Sequence, residues 1–235
     1  MQADFKITEN NRPRLKAVLF DLDGTLVNSL GDLAGGVNFV LSEMGYPVHP
    51  VEKFKYFAGD GIPKMIERAL PENARTDSIK KECVGRFLEY YSQHFADSTR
   101  LYHGIDELLT ALKNQGMKIA VVSNKAQEMA DNVVGKIVGN VDFVIGKREG
   151  LPAKPDPAAL LLAAEKLGVD CRECVFLGDS GMDMAAAKNA GMLPIGVLWG
   201  FRTADELKSA GAKALISRPE ELTEILKKRN FESEQ

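Results

Sequence analysis

The stretch KAVLFDLDGTLVNS, residues 16–29, decides the fold, because in it a short apolar run ends in two carboxylates. Residues 17–20 are all apolar, as in a strand that is buried on both faces of a sheet. Asp21 and Asp23 follow, and side chains two positions apart on an extended chain point the same way. Two carboxylates aimed at one small volume repel each other, so one of them tends to keep its proton. The stretch therefore predicts a buried strand with a charged site at its carboxyl end.

The composition bounds the kinds of protein that this chain can be. Its 235 residues, 45% of them apolar, suffice for one large domain or for a core domain with a smaller insertion. The net charge of −3 argues against a nucleic-acid binder. No apolar run is long enough to span a membrane, and the polar amino-terminal residues do not resemble a signal peptide, so we expect a cytoplasmic protein without membrane contact. The lone C-x-x-C of Cys171 and Cys174 has no second ligand pair and predicts no zinc site.

Apolar runs and helical patterns alternate over the second half of the chain. Five more runs predict buried strands, at residues 119–123, 143–145, 174–178, 194–199 and 214–216. Between them, apolar residues recur at helical spacing over 105–115, 156–168 and 183–190. Strand–helix–strand alternation requires crossover connections, which give a parallel sheet with helices on both faces. We therefore expect an α/β fold with a Rossmann-like core.

The segment from residue 30 to residue 97 breaks this alternation. It contains no strand of comparable strength but three helical stripes, at 30–44, 62–70 and 79–91. Gly45 ends the first, and Ser78 is the predicted N-cap of the third. This pattern predicts an all-helical cap domain, 30–97, inserted into a catalytic core formed by 1–29 and 98–235. An insertion at the carboxyl end of the first strand lies where open α/β sheets bind ligands, so the cap would serve as a lid.

Other predicted strands also end in polar side chains. Ser123-Asn124-Lys125 ends the second strand, Lys154 follows the third after a loop, and Asp179 follows the fourth, with Asp183 four residues later. In a parallel sheet these ends share one edge. That edge should therefore collect a hydroxyl, an ammonium and four carboxylates: Ser123, Lys154, Asp21, Asp23, Asp179 and Asp183.

The chemistry of this set indicates a metal and a phosphate. Hard oxygen ligands without His or Cys favour Mg²⁺, which usually brings in a substrate phosphate. Mg²⁺ and Lys154 would neutralise a phosphate that a carboxylate attacks. Ser123 and the backbone N–H groups of the turn at 23–25 can bind its oxygens. Each motif alone could be a turn or a helix cap, but the four in order, each at or after a strand end, predict a functional site.

The four motifs resemble those of the haloacid dehalogenase-like hydrolase superfamily. They are D-x-D-G-T from Asp21, the Ser of VVSN, the Lys of KPDP, and GDSGMD at 178–183. The resemblance implies that Asp21 is the nucleophile and that Asp23 is the general acid and then the general base. It implies Mg²⁺ bound by the Asp21 carboxylate, the Asp23 carbonyl and Asp179, with Asp183 holding a water on the metal. Dehalogenases of this kind lack an acid at the second position, so Asp23 favours phosphate esters. The candidate phosphate ligands are Gly24, Thr25, Ser123, Asn124 and Lys154.

Two segments are similar to phosphoglycolate phosphatases in particular. GDGIPKMIERAL at 59–70 resembles the cap segment G-x-G-x₆-R-A-L of that family, and GVLWGFRTADEL at 196–207 resembles its region after the fourth motif. Arg68 and Lys64 are therefore candidates to contact a substrate carboxylate; for Arg68 the alternative is an exposed helix face or an ion pair with Glu67 or Glu72. The resemblance implies a Mg²⁺-dependent phosphomonoester hydrolase that acts through an aspartyl-phosphate on 2-phosphoglycolate or a similar small anionic ester.

Three other functions stay open at this point. A β-phosphoglucomutase-like enzyme would transfer the phosphoryl group to a sugar hydroxyl instead of water. A phosphonate hydrolase would need a cap lysine, for which Lys53, Lys55 and Lys64 are available. A non-catalytic phosphate-binding regulator would be expected to have lost at least one motif residue, and none is lost. The expected partner is a small phosphate ester, and the expected state is a monomer or weak homodimer.

Overall fold

The computed structural model describes residues 13–232, in which six parallel strands form one sheet with helices on both faces. The strand order is β5-β4-β1-β6-β7-β8, so the strand before Asp21 lies in the middle. The strands of this sheet are β1 Ala17–Phe20, β4 Lys118–Ala126, β5 Phe143–Lys147, β6 Cys174–Gly178, β7 Leu193–Val197 and β8 Ala214–Ile216. Two further short strands, β2 Val27–Asn28 and β3 Arg100–Leu101, form a separate antiparallel pair.

The register of the central strands places the predicted motifs side by side. Ala17 pairs with Lys118 on one neighbour and with Cys174 on the other, and the pairing continues residue by residue to Phe20. Because all three strands run parallel, the residues that follow each of them reach the same edge of the sheet. Asp21 and Asp179 directly follow β1 and β6, and Ser123 lies within β4, two residues after the Val121 that pairs with Phe20.

Alternate side chains of the buried strands pack against different helices. Val18 and Phe20 belong to the apolar cluster on the face covered by α5, α6 and α10, whereas Ala17 and Leu19 belong to the cluster on the opposite face, covered by α7 and α8. The helices of the core are α5 Ile105–Asn114, α6 Gln127–Val133, α7 Ala158–Leu167, α8 Gly181–Asn189, α9 Ala204–Ala210 and α10 Glu221–Glu232. Burial on both faces explains why these strands are continuous apolar runs.

The helical insertion has an apolar core of its own. Its helices are α1 Leu30–Glu43, α2 Phe54–Phe57, α3 Ile62–Ala69 and α4 Asp77–His94. Val37, Ile66, Phe87 and Tyr91 are among the buried side chains that they share. The limits of the cap domain, 30–97, stay a proposal, although the pairing of β2 with β3 brings the two connecting segments together beside the sheet.

The α/β fold class expected from the sequence is confirmed. All six buried strands and the three helical stripes are present, whereas α2, α6, α9, α10 and the β2–β3 pair were not predicted. Cys171 and Cys174 are free thiols, the first in a short 3₁₀ turn and the second at the start of β6. Between residues 13 and 232, no helix is both long enough and apolar enough to cross a lipid bilayer.

Candidate active site

Asp21 is held rigidly at the end of β1. Its backbone N–H donates to the carbonyl of Leu177 at 2.8 Å, and its Oδ1 accepts a hydrogen bond from Nζ of Lys154 at 2.7 Å. Burial raises the pKa of Asp21 to about 7, aided by the charges of Asp183 and Asp23 and opposed by Lys154. Among the described residues no hydrogen bond is donated to Oδ2, so this oxygen is available to attack a substrate.

Lys154 joins the first motif to the fourth. Its Nζ donates to Oδ1 of Asp183 at 2.6 Å and to the carbonyl of Val122 at 3.0 Å, in addition to Asp21. Burial favours the neutral amine, but the carboxylates of Asp183 and Asp21 outweigh it and raise the pKa of Lys154. The side chain is therefore an ammonium whose three donors are all used.

Three buried carboxylates lie together at the centre of the site. One oxygen each of Asp21, Asp179 and Asp183 lies within 4.8 Å of the others. Burial raises the pKa of Asp179 well above its usual range, and the charges of Asp183 and Asp21 raise it further. Within residues 13–232 no cationic side chain pairs with Asp179. Three carboxylates beside the one ammonium of Lys154 leave two negative charges, which is the charge that a divalent cation would balance.

Two glycines allow the chain to approach Asp179 closely. Gly24 has φ +90°, and a Cβ there would lie 2.3 Å from Oδ2 of Asp179. A Cβ on Gly200 would lie 2.2 Å from Cβ of the same aspartate. The loop after β7 then closes over the site, where Phe201 N–H donates to Asp179 at 2.7 Å and Trp199 Nε1 donates to the carbonyl of Thr25 at 3.0 Å.

Asp23 lies in different surroundings from Asp21. It is partly exposed, and its Oδ1 accepts a hydrogen bond from Ser29 Oγ at 2.6 Å. Lys125 Nζ lies 3.1 Å from Oδ1 and 3.0 Å from Oδ2 of Asp23, and the lysine side chain is 3% exposed. Lys125 was not among the site residues predicted from the sequence. Its position two residues after Ser123 on the same strand was the signal, because side chains two apart share a face.

The other predicted phosphate ligands divide between the cavity and the backbone. Ser123 is buried beside the carboxylates, and its Oγ accepts the N–H of Lys125 at 3.2 Å. Asn124 bonds the backbone of Lys154 twice, accepting its N–H at 2.8 Å and donating to its carbonyl at 3.2 Å. Thr25 is buried and donates weakly to Asp179 at 3.5 Å. Asn124 thus fixes the loop that carries Lys154, and the phosphate contacts of these residues and of Gly24 stay predictions.

A cavity of about 270 Å³ opens over this cluster, between the sheet edge and the helical insertion. All six residues expected at the edge line it: Asp21, Asp23, Ser123, Lys154, Asp179 and Asp183. Three helices of the insertion supply an apolar wall: Leu33, Ile62, Met65, Val84 and Leu88. The site therefore combines a charged floor with a largely apolar roof, as enzyme pockets commonly do.

Comparison with known proteins identifies the family. Residues 15–191 match the family model of the haloacid dehalogenase-like hydrolases. The chain is 37% identical over 198 residues to the phosphoglycolate phosphatase of Haemophilus influenzae strain 86-028NP, covering 80% of this chain and 88% of that protein. It is 33% identical over 213 residues to the phosphoglycolate phosphatase of Xanthomonas campestris pv. campestris strain 8004, covering 89% and 95%. This chain belongs to the haloacid dehalogenase-like hydrolase family.

A solved structure agrees with this assignment. The crystal structure of a predicted phosphoglycolate phosphatase from Haemophilus somnus superposes with a TM-score of 0.82 at 27% identity, covering 93% of this chain and 99% of that one. Within the hydrolase family the chain is a phosphatase related to the phosphoglycolate phosphatases.

The two cap residues proposed for specificity in this hydrolase face other partners. Arg68 is ion-paired with Asp60 through Nη2 and donates from Nη1 to the carbonyl of Phe57 at 3.0 Å. Lys64 is paired with Glu67 at 2.8 Å on an exposed face. Neither side chain lines the cavity. Lys147, at the end of β5, does line it, is exposed, and forms no ion pair with any described residue.

Proposed function

We propose that this hydrolase cleaves phosphomonoesters through an aspartyl-phosphate on Asp21, in a reaction that depends on Mg²⁺. The observation that supports this most strongly is the pairing of two differently held carboxylates at one cavity. Asp21 is fixed by Lys154 with Oδ2 uncommitted, and Asp23 is held beside it by Ser29 and Lys125. One carboxylate is arranged to attack, and the other to move protons.

In the first step, Oδ2 of Asp21 attacks phosphorus, and the bond from phosphorus to the ester oxygen breaks. Asp23, in its protonated form, gives its proton to the leaving alkoxide, so that the products are an alcohol and the phosphorylated Asp21. The ammonium of Lys154 lies against Asp21 and reduces the repulsion between the carboxylate and the incoming phosphate.

In the second step, the ionised Asp23 takes a proton from a water molecule. The water oxygen attacks phosphorus, the bond from phosphorus to Oδ2 of Asp21 breaks, and inorganic phosphate leaves. Asp23 ends the cycle protonated, as it began it. Ser123 and the backbone N–H groups of the 23–25 turn are the proposed donors to the phosphoryl oxygens in both steps.

The buried carboxylates fit Mg²⁺ as the cofactor. The carboxylates of Asp21 and Asp179 and the carbonyl of Asp23 would hold the ion, with Asp183 acting through a water molecule. Support comes from the two uncompensated negative charges, the all-oxygen donor set and the raised pKa of Asp179. When bound, the ion supplies positive charge to the phosphoryl oxygens.

2-Phosphoglycolate, or a similar small anionic ester, is the proposed substrate because the two curated relatives described above are phosphoglycolate phosphatases. The helical insertion, proposed as a cap domain over 30–97, would cover the ester during turnover. Its contacts with the core support this: Asn124 Nδ2 donates to the carbonyl of Gly59 at 3.4 Å, and Arg202 Nη2 donates to that of Ala58 at 2.8 Å.

A phosphate-release screen tests the proposal. Purified protein is assayed with Mg²⁺ against 2-phosphoglycolate, sugar phosphates, nucleotides, pyridoxal phosphate and pyrophosphate, ranked by kcat/KM, with Asp21→Asn as the control variant. We expect 2-phosphoglycolate to rank first, Asp21→Asn to be inactive, and a phosphorylated Asp21 to be trapped by acid quench and mass spectrometry. Transfer of the phosphoryl group to a sugar would favour the mutase, and equal activity of Asp21→Asn would exclude the nucleophile.

A further inference from the structure

Lys125 is a buried cation at the site to which the mechanism above assigns no step. It is the last but one residue of β4, and its ammonium lies against both carboxylate oxygens of Asp23, at 3.1 and 3.0 Å. It also donates to the hydroxyl of Tyr91 at 3.1 Å. An ammonium has three donors, so all of them are used by Asp23 and Tyr91, and none is directed at a substrate.

Tyr91 places the other end of this contact in the helical insertion. It lies on α4, is 1% exposed, and stacks on Phe87 with ring centroids 5.1 Å apart. Its ring also lies under the Lys125 ammonium, 5.0 Å from the ring centroid. Lys125 therefore contacts a carboxylate of the core on one side and a rigid side chain of the cap helices on the other.

We propose that Lys125 is the positioning residue of Asp23: it holds both carboxylate oxygens in place, and Tyr91 of α4 holds Lys125 in turn. The proposal rests on the proposed function, because it takes Asp23 as the acid and base. One carboxylate must reach the ester oxygen in the first step and a water molecule in the second. Ser29 restrains only Oδ1, so without Lys125 the carboxylate could rotate about its side-chain bonds.

The position of Tyr91 adds a consequence. Because Lys125 contacts both the core and the cap helices, all three of its hydrogen bonds can form only when α4 is in its present position. A displacement of α4 would remove the Tyr91 hydroxyl from the ammonium. Lys125 would then be restrained less and would hold the Asp23 carboxylate less firmly. The placement of the acid and base is thus linked to the placement of the cap helices over the cavity.

The variants Lys125→Met, Lys125→Arg and Tyr91→Phe test the proposal with 2-phosphoglycolate and with p-nitrophenyl phosphate. For Lys125→Met with 2-phosphoglycolate we expect kcat to fall about 10–100-fold, the cost of a misplaced catalytic group, with KM within about 3-fold of the wild-type value. Lys125→Arg should recover part of the rate, and Tyr91→Phe should lose about 3–10-fold. Lys113→Met, which removes an ion pair with Asp142 away from the cavity, should leave both constants unchanged.

A double-mutant cycle separates positioning from substrate binding or plain structure. In the Asp23→Asn background, Lys125→Met should cost less than about 3-fold more, because the group through which it acts is already gone. Full additivity of the two losses would overturn the proposal, and so would a raised KM with unchanged kcat.

The second step gives a further readout. p-Nitrophenolate leaves without a proton, so Lys125→Met should release one equivalent of it rapidly and then turn over slowly, with phosphorylated Asp21 accumulating. The absence of such a burst, with kcat reduced, would contradict the proposal. Thermal unfolding checks each variant, and if Lys125→Met does not fold, Tyr91→Phe is carried through the same cycle. A wild-type protein inactive on every ester would instead refute the proposed function.

Discussion

At the scale of single residues, Asp21 and Asp23 differ by what surrounds them. Asp21 is buried, and this burial is the main cause of its raised pKa, to which the neighbouring carboxylates add and which the ammonium of Lys154 opposes. Asp23 is partly exposed and is bound by a hydroxyl and by Lys125. Two carboxylates with such different partners can serve as nucleophile and as proton carrier although they are only two positions apart.

The substitution Asp23→Asn is expected to reduce the hydrolysis of 2-phosphoglycolate much more than that of p-nitrophenyl phosphate. An amide cannot give or take the proton, so kcat/KM for 2-phosphoglycolate should fall by about 10²–10⁴. The same constant for p-nitrophenyl phosphate should fall much less, since its leaving group needs no proton. Steady-state kinetics on both esters measures this difference, and equal losses on the two would argue that Asp23 is needed for the fold or for phosphate binding instead.

Lys147 is better placed than Arg68 to contact a substrate carboxylate. Arg68 is already committed to Asp60 and to the Phe57 carbonyl, whereas Lys147 lines the cavity without an ion pair among the described residues. We therefore expect Lys147→Met to raise KM for 2-phosphoglycolate about 10-fold, as loss of one charge-assisted contact would. Arg68→Met should change KM less than about 2-fold, and the reverse order would restore the role predicted for Arg68 from the sequence.

Which site residues could be found from the sequence depends on where each one lies. Asp21, Ser123 and Asp179 stand at the ends of continuous apolar strands, and the parallel register alone brings them together. Lys125 was missed because a lysine near the end of a strand is usually exposed, and nothing in the local sequence shows that Asp23 and Tyr91 cover it. Contacts of Arg68 depend on the turn that carries Asp60, and such turns are not determined by helical periodicity.

At the scale of elements, Asp32 ties the two segments that join the insertion to the core. It lies in the first turn of α1, and its carboxylate accepts hydrogen bonds from the backbone N–H and hydroxyl groups of both Ser98 and Thr99. Burial opposes ionisation, but these four donors together lower the pKa of Asp32. Asp32 is 7% exposed and Thr99 is fully buried, so removal of the Asp32 carboxylate would leave the buried donors of Thr99 without a partner.

We therefore expect Asp32→Ala to lower the free energy of unfolding by about 2–4 kcal/mol, measured by urea denaturation at neutral pH. A lowered pKa means that this stabilisation is complete above the ordinary aspartate pKa near 4 and is lost as the pH falls through the lower, folded-state pKa. Asp77→Ala, at a fully exposed carboxylate in the first turn of α4, is the control and should change little. Equal effects of the two substitutions would show that the Asp32 contacts contribute nothing.

Element boundaries show the limit of periodicity. The stripe of α4 was found, but the predicted cap, Ser78, is inside the helix, and the N-cap is Thr76, whose Oγ1 accepts the N–H of Ile79 at 3.3 Å. Two hydroxyl residues stand within three positions, and either could cap an isolated helix. The conformation of the loop between α3 and α4 decides which of the two is the N-cap, and that conformation depends on tertiary contacts.

At the scale of the whole molecule, the fold concentrates charge at one place. Three buried carboxylates lie beside a single ammonium, which contacts two of them, at the edge of the sheet, although the net charge of the chain is only −3. Parallel strands make this unavoidable, since every strand that ends in an acid ends at the same edge. Without a bound cation, part of the stability of the fold should depend on protons held by this cluster.

The direction of that dependence follows from Asp21, whose pKa rises from 3.8 to about 7 on folding. In the metal-free protein the unfolded chain loses this proton near pH 4 and the folded chain only near pH 7. The contribution to stability is therefore complete below about pH 4 and is lost as the pH rises through about 7. Mg²⁺, the proposed cofactor, would bind the ionised carboxylates and compete with the protons. The rise in Tm between EDTA and Mg²⁺ should then grow from pH 5 to pH 8, and Asp179→Asn should reduce it at every pH. A rise that is independent of pH, or unchanged in Asp179→Asn, would show that the ion does not bind at this cluster.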